Sequence, residues 1–182
     1  MKLLNLLIYS AILATSIASP VQANDAFGDA TPSMLQGMNT EQDWKTWLVV
    51  PVYTRHFDRQ AVIDDNLNEN NYGVGLERSN GTWRWMLGGY RNSLRDASIY
   101  GQVAWTPLQI PLGSSARFAA GGSLGLVSGY QNTDKGYPIV PAGGFLLSFE
   151  TDHHVGLNLF IVPTVQAVDV EGFVAAQLKF HF

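Results

Sequence analysis

The last ten residues alternate strictly, with Val174, Ala176, Leu178, Phe180 and Phe182 on one side and Phe173, Ala175, Gln177, Lys179 and His181 on the other. A period of two marks a β-strand, and here one face is wholly apolar. A weaker form of the split recurs where Val155, Leu157, Leu159 and Ile161 alternate with Gly156, Asn158, Phe160 and Val162. From residue 46 onward the chain offers eight strand candidates: 46–58, 72–79, 82–90, 97–108, 116–130, 137–150, 154–163 and 172–182. They are rich in β-branched and aromatic residues and are separated by turn signals. The links alternate in length, with Asn80-Gly81, 109–115 and 151–153 short and 59–71, 131–136 and 164–171 longer. Short turns at one end and longer loops at the other predict an all-β fold, an eight-stranded antiparallel up-and-down transmembrane β-barrel.

The apolar face of such strands meets lipid, and a chain ending on Phe182 suits an outer-membrane barrel that the barrel-assembly machinery recognises by that residue. Trp83 and Trp85 flank a turn, where an interfacial aromatic girdle belongs. Eight strands enclose room for side chains or one small ligand, which excludes a general pore. The small inward candidates Gly88, Ala119, Gly121, Ser123 and Gly125 leave space that suits an acyl chain, unless Met86, Phe160 and Phe173 fill it.

The N-terminus changes the compartment. Lys2, an apolar run over 3–17 and the small-residue site Val21-Gln22-Ala23 predict a signal peptide over residues 1–23. Residues 24–45 form a polar lead-in, and a short amphipathic helix over 33–47, through Met34, Leu35, Met38, Trp44 and Trp47, is one reading. A disordered leader is the other. Residues 46–182 are the barrel. Past the signal no apolar run approaches the ~20 residues of a membrane-spanning helix, so any span must be made of strands.

Composition agrees with this and excludes alternatives. Eighteen glycines, 12% aromatic and 14% charged residues are unlike an ordinary soluble α/β enzyme. Without Lys2 the chain carries 10 basic against 15 acidic residues, which argues against nucleic-acid binding. No cysteine is present, so disulfides and thiol chemistry are excluded. His153-His154 beside Asp152 reads as a polar turn, and no metal and no cofactor are expected.

Candidate chemistry gathers at one rim. With both termini on the periplasmic side, odd-numbered strands run outward, so His56 tops the first and the Arg91-Asn92-Ser93 segment follows the third. A hydroxyl beside an imidazole is the minimum for nucleophile-and-base or acceptor-and-base chemistry, and Asn92 is placed to orient the ring. Arg55, Arg59, Arg91 and Arg95 fall near the same rim and suit phosphate headgroups, or simply a lipopolysaccharide-facing surface. Pro51 and Pro163 cannot donate to a strand ladder and mark places where pairing breaks.

Pro51 with His56 five residues on, Asn68-Glu69 before Gly73 and Gly75, Asn92-Ser93, Trp105-Thr106-Pro107-Leu108, the 137–141 segment with Pro138 and Pro141, Pro163, and the Phe180-His181-Phe182 ending together resemble the lipid A palmitoyltransferase family of outer-membrane barrels. The order and approximate spacing agree over 44–182. The resemblance implies an acyltransferase that moves a fatty acyl chain from a phospholipid donor to lipid A at the outer leaflet, acting as a monomer. It implies catalytic roles for His56, Asn92 and Ser93 and lateral lipid access at Pro51 and Pro163. The chain departs from the family at Asn92, where the family has Asp. If the amide is the only defect, Asn92→Asp raises or preserves activity, and Asp96 or Glu69 are other carboxylates for the ring. A non-catalytic lipid-binding or structural barrel, and a lipid A deacylase with water as acceptor, are the rival readings.

Overall fold

The computed structural model describes residues 43–131, 137–165 and 171–182. The expected signal peptide, and the lead-in up to residue 42, lie outside them. Eight strands close into one antiparallel barrel in sequence order. They are β1 (Lys45–His56), β2 (Gly73–Ser79), β3 (Trp83–Arg91), β4 (Ala97–Leu112), β5 (Ala116–Ser128), β6 (Ile139–Thr151), β7 (Val155–Val162) and β8 (Phe173–His181). The strand β8 pairs back onto β1 and completes the ring.

Three departures from the sequence reading have physical causes. First, β4 continues past residue 108, because a register shift between Trp105 and Leu108 absorbs Pro107 and lets the strand resume. The expected 109–115 link shrinks to a turn at Gly113, whose φ of +68° suits glycine. Second, the long first loop holds a short helix, α1 (Arg59–Asp64), started by the Asp58 carboxylate, which accepts from Gln60 N and Ala61 N at 2.9 and 3.1 Å. Third, Trp47 lies in β1, not in an amphipathic helix. It points inward, with Lys179 Nζ 4.6 Å from its ring centroid.

Alternation decides what each strand shows to either side. Leu76, Leu87, Ile99, Leu124, Leu126 and Phe145 point outward and are each more than half exposed. So broad an apolar belt is what a lipid bilayer covers and water does not tolerate. Trp83 and Trp105 stand outside, 6.4 Å apart, toward the short-turn end.

The interior is layered. Near the short turns a buried charge cluster closes the barrel. Arg84 Nη1 donates to Glu77 and Glu150 at 2.7 Å each, and Lys179 Nζ donates to the same two carboxylates at 2.9 and 2.6 Å. Asn158, Ser148, Thr106 and Arg117 complete the network. Above it Met86, Tyr100, Ala104, Val127, Leu146 and Phe160 form the apolar core. The space expected at Gly88 is taken by Tyr100, whose hydroxyl would stand 2.7 Å from a Cβ placed there. At Gly125 the side chain of Gln102 does the same.

Candidate functional site

His56 is the last residue of β1, and a bulge decides which way it faces. Trp47, Val49 and Pro51 point inward, so plain alternation would send Tyr53 and Arg55 inward and His56 out. The β1–β8 register shifts between Pro51 and Tyr53, with Val52 as the extra residue. Beyond it Thr54 and His56 are buried while Tyr53 and Arg55 are exposed. The imidazole is thus aimed into the barrel mouth, 5.8 Å from the Phe173 ring between centroids.

Ser93 arrives from the turn after β3. Its Oγ lies 3.2 Å from His56 Nε2, within hydrogen-bond reach of a base. The two candidate residues therefore meet, 37 positions apart in sequence.

Asn92 does not orient the ring. Its Oδ1 accepts from Leu94 N and Asp96 N, each at 2.9 Å, and its Nδ2 donates to Ser98 Oγ at 3.0 Å and Gly129 O at 2.8 Å. The amide is fully buried and both its ends are used to hold the Ser93 turn and to tie it to the end of β5. An aspartate could replace the acceptor but not the donor, and would set a carboxylate oxygen against the Gly129 carbonyl. Asn92→Asp is therefore expected to destabilise the barrel by about 1–3 kcal/mol and to lower any activity at Ser93, the reverse of the expectation from the family pattern. Urea midpoints of the two proteins in matched micelles check the first part.

The carboxylate facing the ring is Glu69. Sequence reading named it only as an alternative, because a residue inside a long loop has no predictable position. Backbone bonds place it: Thr54 N donates to Glu69 O at 2.8 Å, and Asn68 N donates to Ser93 O at 2.7 Å. The Asn68-Glu69 pair is thus clipped to both halves of the site. Glu69 Oε1 accepts from the His56 backbone N–H at 3.1 Å and lies 3.7 Å from His56 Nδ1.

The four arginines form two pairs. Arg55 and Arg59 both reach Glu69, at 3.6 and 2.5 Å, and remain about half exposed. Arg91 donates to Arg95 O and Arg95 to Asn66, so this second pair stabilises the loops of the rim. Partial burial alone would push the Glu69 carboxyl up. The Arg59 and His56 N–H hydrogen bonds, with the Arg59 and Arg55 charges, outweigh it and hold the pKa at about 2.

Both marked prolines stand where a ladder stops. The β1–β2 register runs from Lys45↔Ser79 to Val49↔Gly75 and ends two residues before Pro51. The β6–β7 register ends at Phe145↔Ile161, leaving residues 139–144 of β6 without a β7 partner, and Pro163 follows the end of β7. Each interruption lies in the half of the wall nearer the loops.

The His153-His154 turn lies at the opposite end. There His154 Nδ1 is 2.9 Å from His181 Nδ1 and the rings stack, joining the β6–β7 turn to the end of β8.

No family model matches the chain, and no curated protein matches it. Among solved structures, it is similar to outer membrane protein H (OprH) from P. aeruginosa, determined in DHPC micelles. The identity is 14%, the match covers 77% of this chain and 99% of that one, and the TM-score is 0.42. The Yersinia pestis outer membrane protein Ail, in a phospholipid bilayer nanodisc, matches at 14% identity over 77% of this chain and 100% of its own, with a TM-score of 0.38. These likenesses do not bear on chemistry.

Proposed function

We propose that the chain is an outer-membrane acyltransferase that moves a fatty acyl chain from a phospholipid to a lipid A hydroxyl. The observation that carries the reading is the 3.2 Å contact between His56 Nε2 and Ser93 Oγ at the loop end of a lipid-facing barrel. His56 Nε2 takes the acceptor hydroxyl proton as that oxygen bonds the acyl carbonyl carbon. The ester bond to the donor glycerol then breaks, and the imidazolium returns the proton to the leaving oxygen. Ser93 holds the Nε2 edge at the reacting centre. The half-exposed Arg55 and Arg59 offer donors to phosphate groups, and the two ladder interruptions supply lateral entry for an acyl chain. The same Ser–His contact also favours a second reading, in which Ser93 is the nucleophile and water the final acceptor, giving a lipid A deacylase.

Mass spectrometry of lipid A from cells that do and do not express the chain separates the readings. Acyl gain supports transfer and acyl loss supports hydrolysis. Unchanged lipid A from cells holding the folded protein overturns both in favour of a non-catalytic barrel.

A further inference from the structure

The His56–Ser93 contact accounts for one edge of the imidazole. The other edge, Nδ1, is buried without a hydrogen-bond partner, and it faces the Glu69 carboxylate at 3.7 Å. We propose that Glu69 is the positioning carboxylate of the site, holding His56 in the tautomer with its hydrogen on Nδ1 and stabilising the imidazolium that forms when Nε2 takes a proton. This assignment rests on the acyl-transfer reading above.

Three observations support it. Glu69 is fixed to the base itself, since its Oε1 already accepts from the His56 backbone N–H, so the carboxylate and the ring move together. The charge is permanent under working conditions, because Arg59, Arg55 and the His56 N–H keep the carboxyl ionised. The order from solvent inward is also right: Arg55 and Arg59 are 54% and 42% exposed, Glu69 is 13% exposed and His56 is 7% exposed. A carboxylate behind an imidazole, with a hydroxyl in front of it, is the arrangement that fixes tautomer and charge in Ser–His–acid sites. The remaining separation exceeds a hydrogen bond by less than about 1 Å, and such contacts tighten when a site is loaded. Asn92 cannot fill the place, since both ends of its amide are bonded elsewhere.

The other charged groups acting on the ring are Arg59 and Glu171, the latter two residues before Phe173 on the ring's flank. Glu69 is the one that closes on Nδ1, at 3.7 Å, and is therefore the group whose removal should alter the imidazole most directly.

The test uses the full chain in mixed micelles, with a phospholipid carrying a labelled acyl chain and lipid A as acceptor. Glu69→Gln is expected to lower kcat by about 10²- to 10⁴-fold with little change in KM, and to move the acid limb of the rate profile to lower pH. Glu69→Asp, which keeps the charge, is expected to restore part of the rate and the position of that limb. Carbon-13 labelling of the four histidines, with His56 assigned by its loss in His56→Ala, gives a readout independent of turnover. The His56 midpoint should fall in Glu69→Gln and hold in Glu69→Asp.

An active wild type with Glu69→Gln equal to it in rate, profile and midpoint overturns the proposal alone. A wild type without acyl transfer, in which the His56 midpoint still falls in Glu69→Gln, upholds the coupling and removes the acyl-transfer reading. If Glu69→Gln does not fold, the wild-type carbon-13 shifts carry the test, since they report the ring tautomer, and a neutral His56 with its hydrogen on Nε2 overturns the proposal.

Discussion

His56→Ala is expected to lower acyl transfer by about 10²- to 10⁴-fold while leaving the barrel folded. The ring ends β1 at the loop rim, where it meets Ser93 Oγ, the Glu69 carboxylate at 3.7 Å and the Phe173 ring. The backbone N–H bond to Glu69 survives truncation to alanine, so the bulge, the loop clip and the β1–β8 ladder keep their anchors. What disappears is, among the described residues, the one group at this rim whose unperturbed pKa lies near neutrality and so suits proton transfer at working pH. His181→Ala is the matched control. That imidazole stacks on His154 at the other end of the barrel, and its loss should leave the rate unchanged. Labelled acyl transfer in micelles checks both, with heat-modifiable gel mobility reporting folding. Equal rates in wild type and His56→Ala would remove the imidazole from the chemistry.

Lys179→Ala should have the largest effect on stability, about 3–5 kcal/mol. Its ammonium is fully buried and donates to Glu77, Glu150 and Ser148. Removing it leaves two carboxylates to share Arg84, with Arg117 reaching only Glu150. The penalty arises from uncompensated buried charge, not from the worth of the ion pairs themselves, which desolvation largely offsets. A double replacement of Lys179 by Met and Glu77 by Gln should therefore recover part of the loss, because it removes one buried charge of each sign and leaves Arg84 paired with Glu150. Urea unfolding in matched micelles measures the series, and a single Lys179→Ala within about 1 kcal/mol of wild type would contradict the network as described.

The strands were legible because a barrel wall imposes one rule along the whole chain. Each strand has a lipid face and an interior face, which favours β-branched and aromatic residues, and runs of these between turn signals located all eight within a few residues, with alternation plain in the last. The ends failed where local chemistry overrode alternation, as at the Thr106-Pro107 shift that carries β4 on to Leu112. The candidate site was half legible. His56 and Ser93 were recognisable as residue types at strand ends. The inward aim of His56 depends on the extra residue at Val52, which alternation alone would misjudge. Asn92 looked like a defective acid and is a turn anchor, because its partners Ser98 and Gly129 are brought to it by tertiary structure. The position of Glu69 and the Glu77–Lys179 pairing had no local signal, the latter joining residues 102 positions apart.

The two ladder interruptions have a mechanical consequence. They divide the loop-side wall into two curved shells, β2 to β6 on one side and β7, β8 and β1 on the other, hinged along the intact pairing near the short turns. His56 rides on the smaller shell and Ser93 on the larger, with the Asn68-Glu69 strap crossing between them. On the acyl-transfer proposal, splaying the β1–β2 seam to admit a lipid would pull base and hydroxyl apart and shutting it would reunite them, so that admission and reaction would be alternating states of one wall.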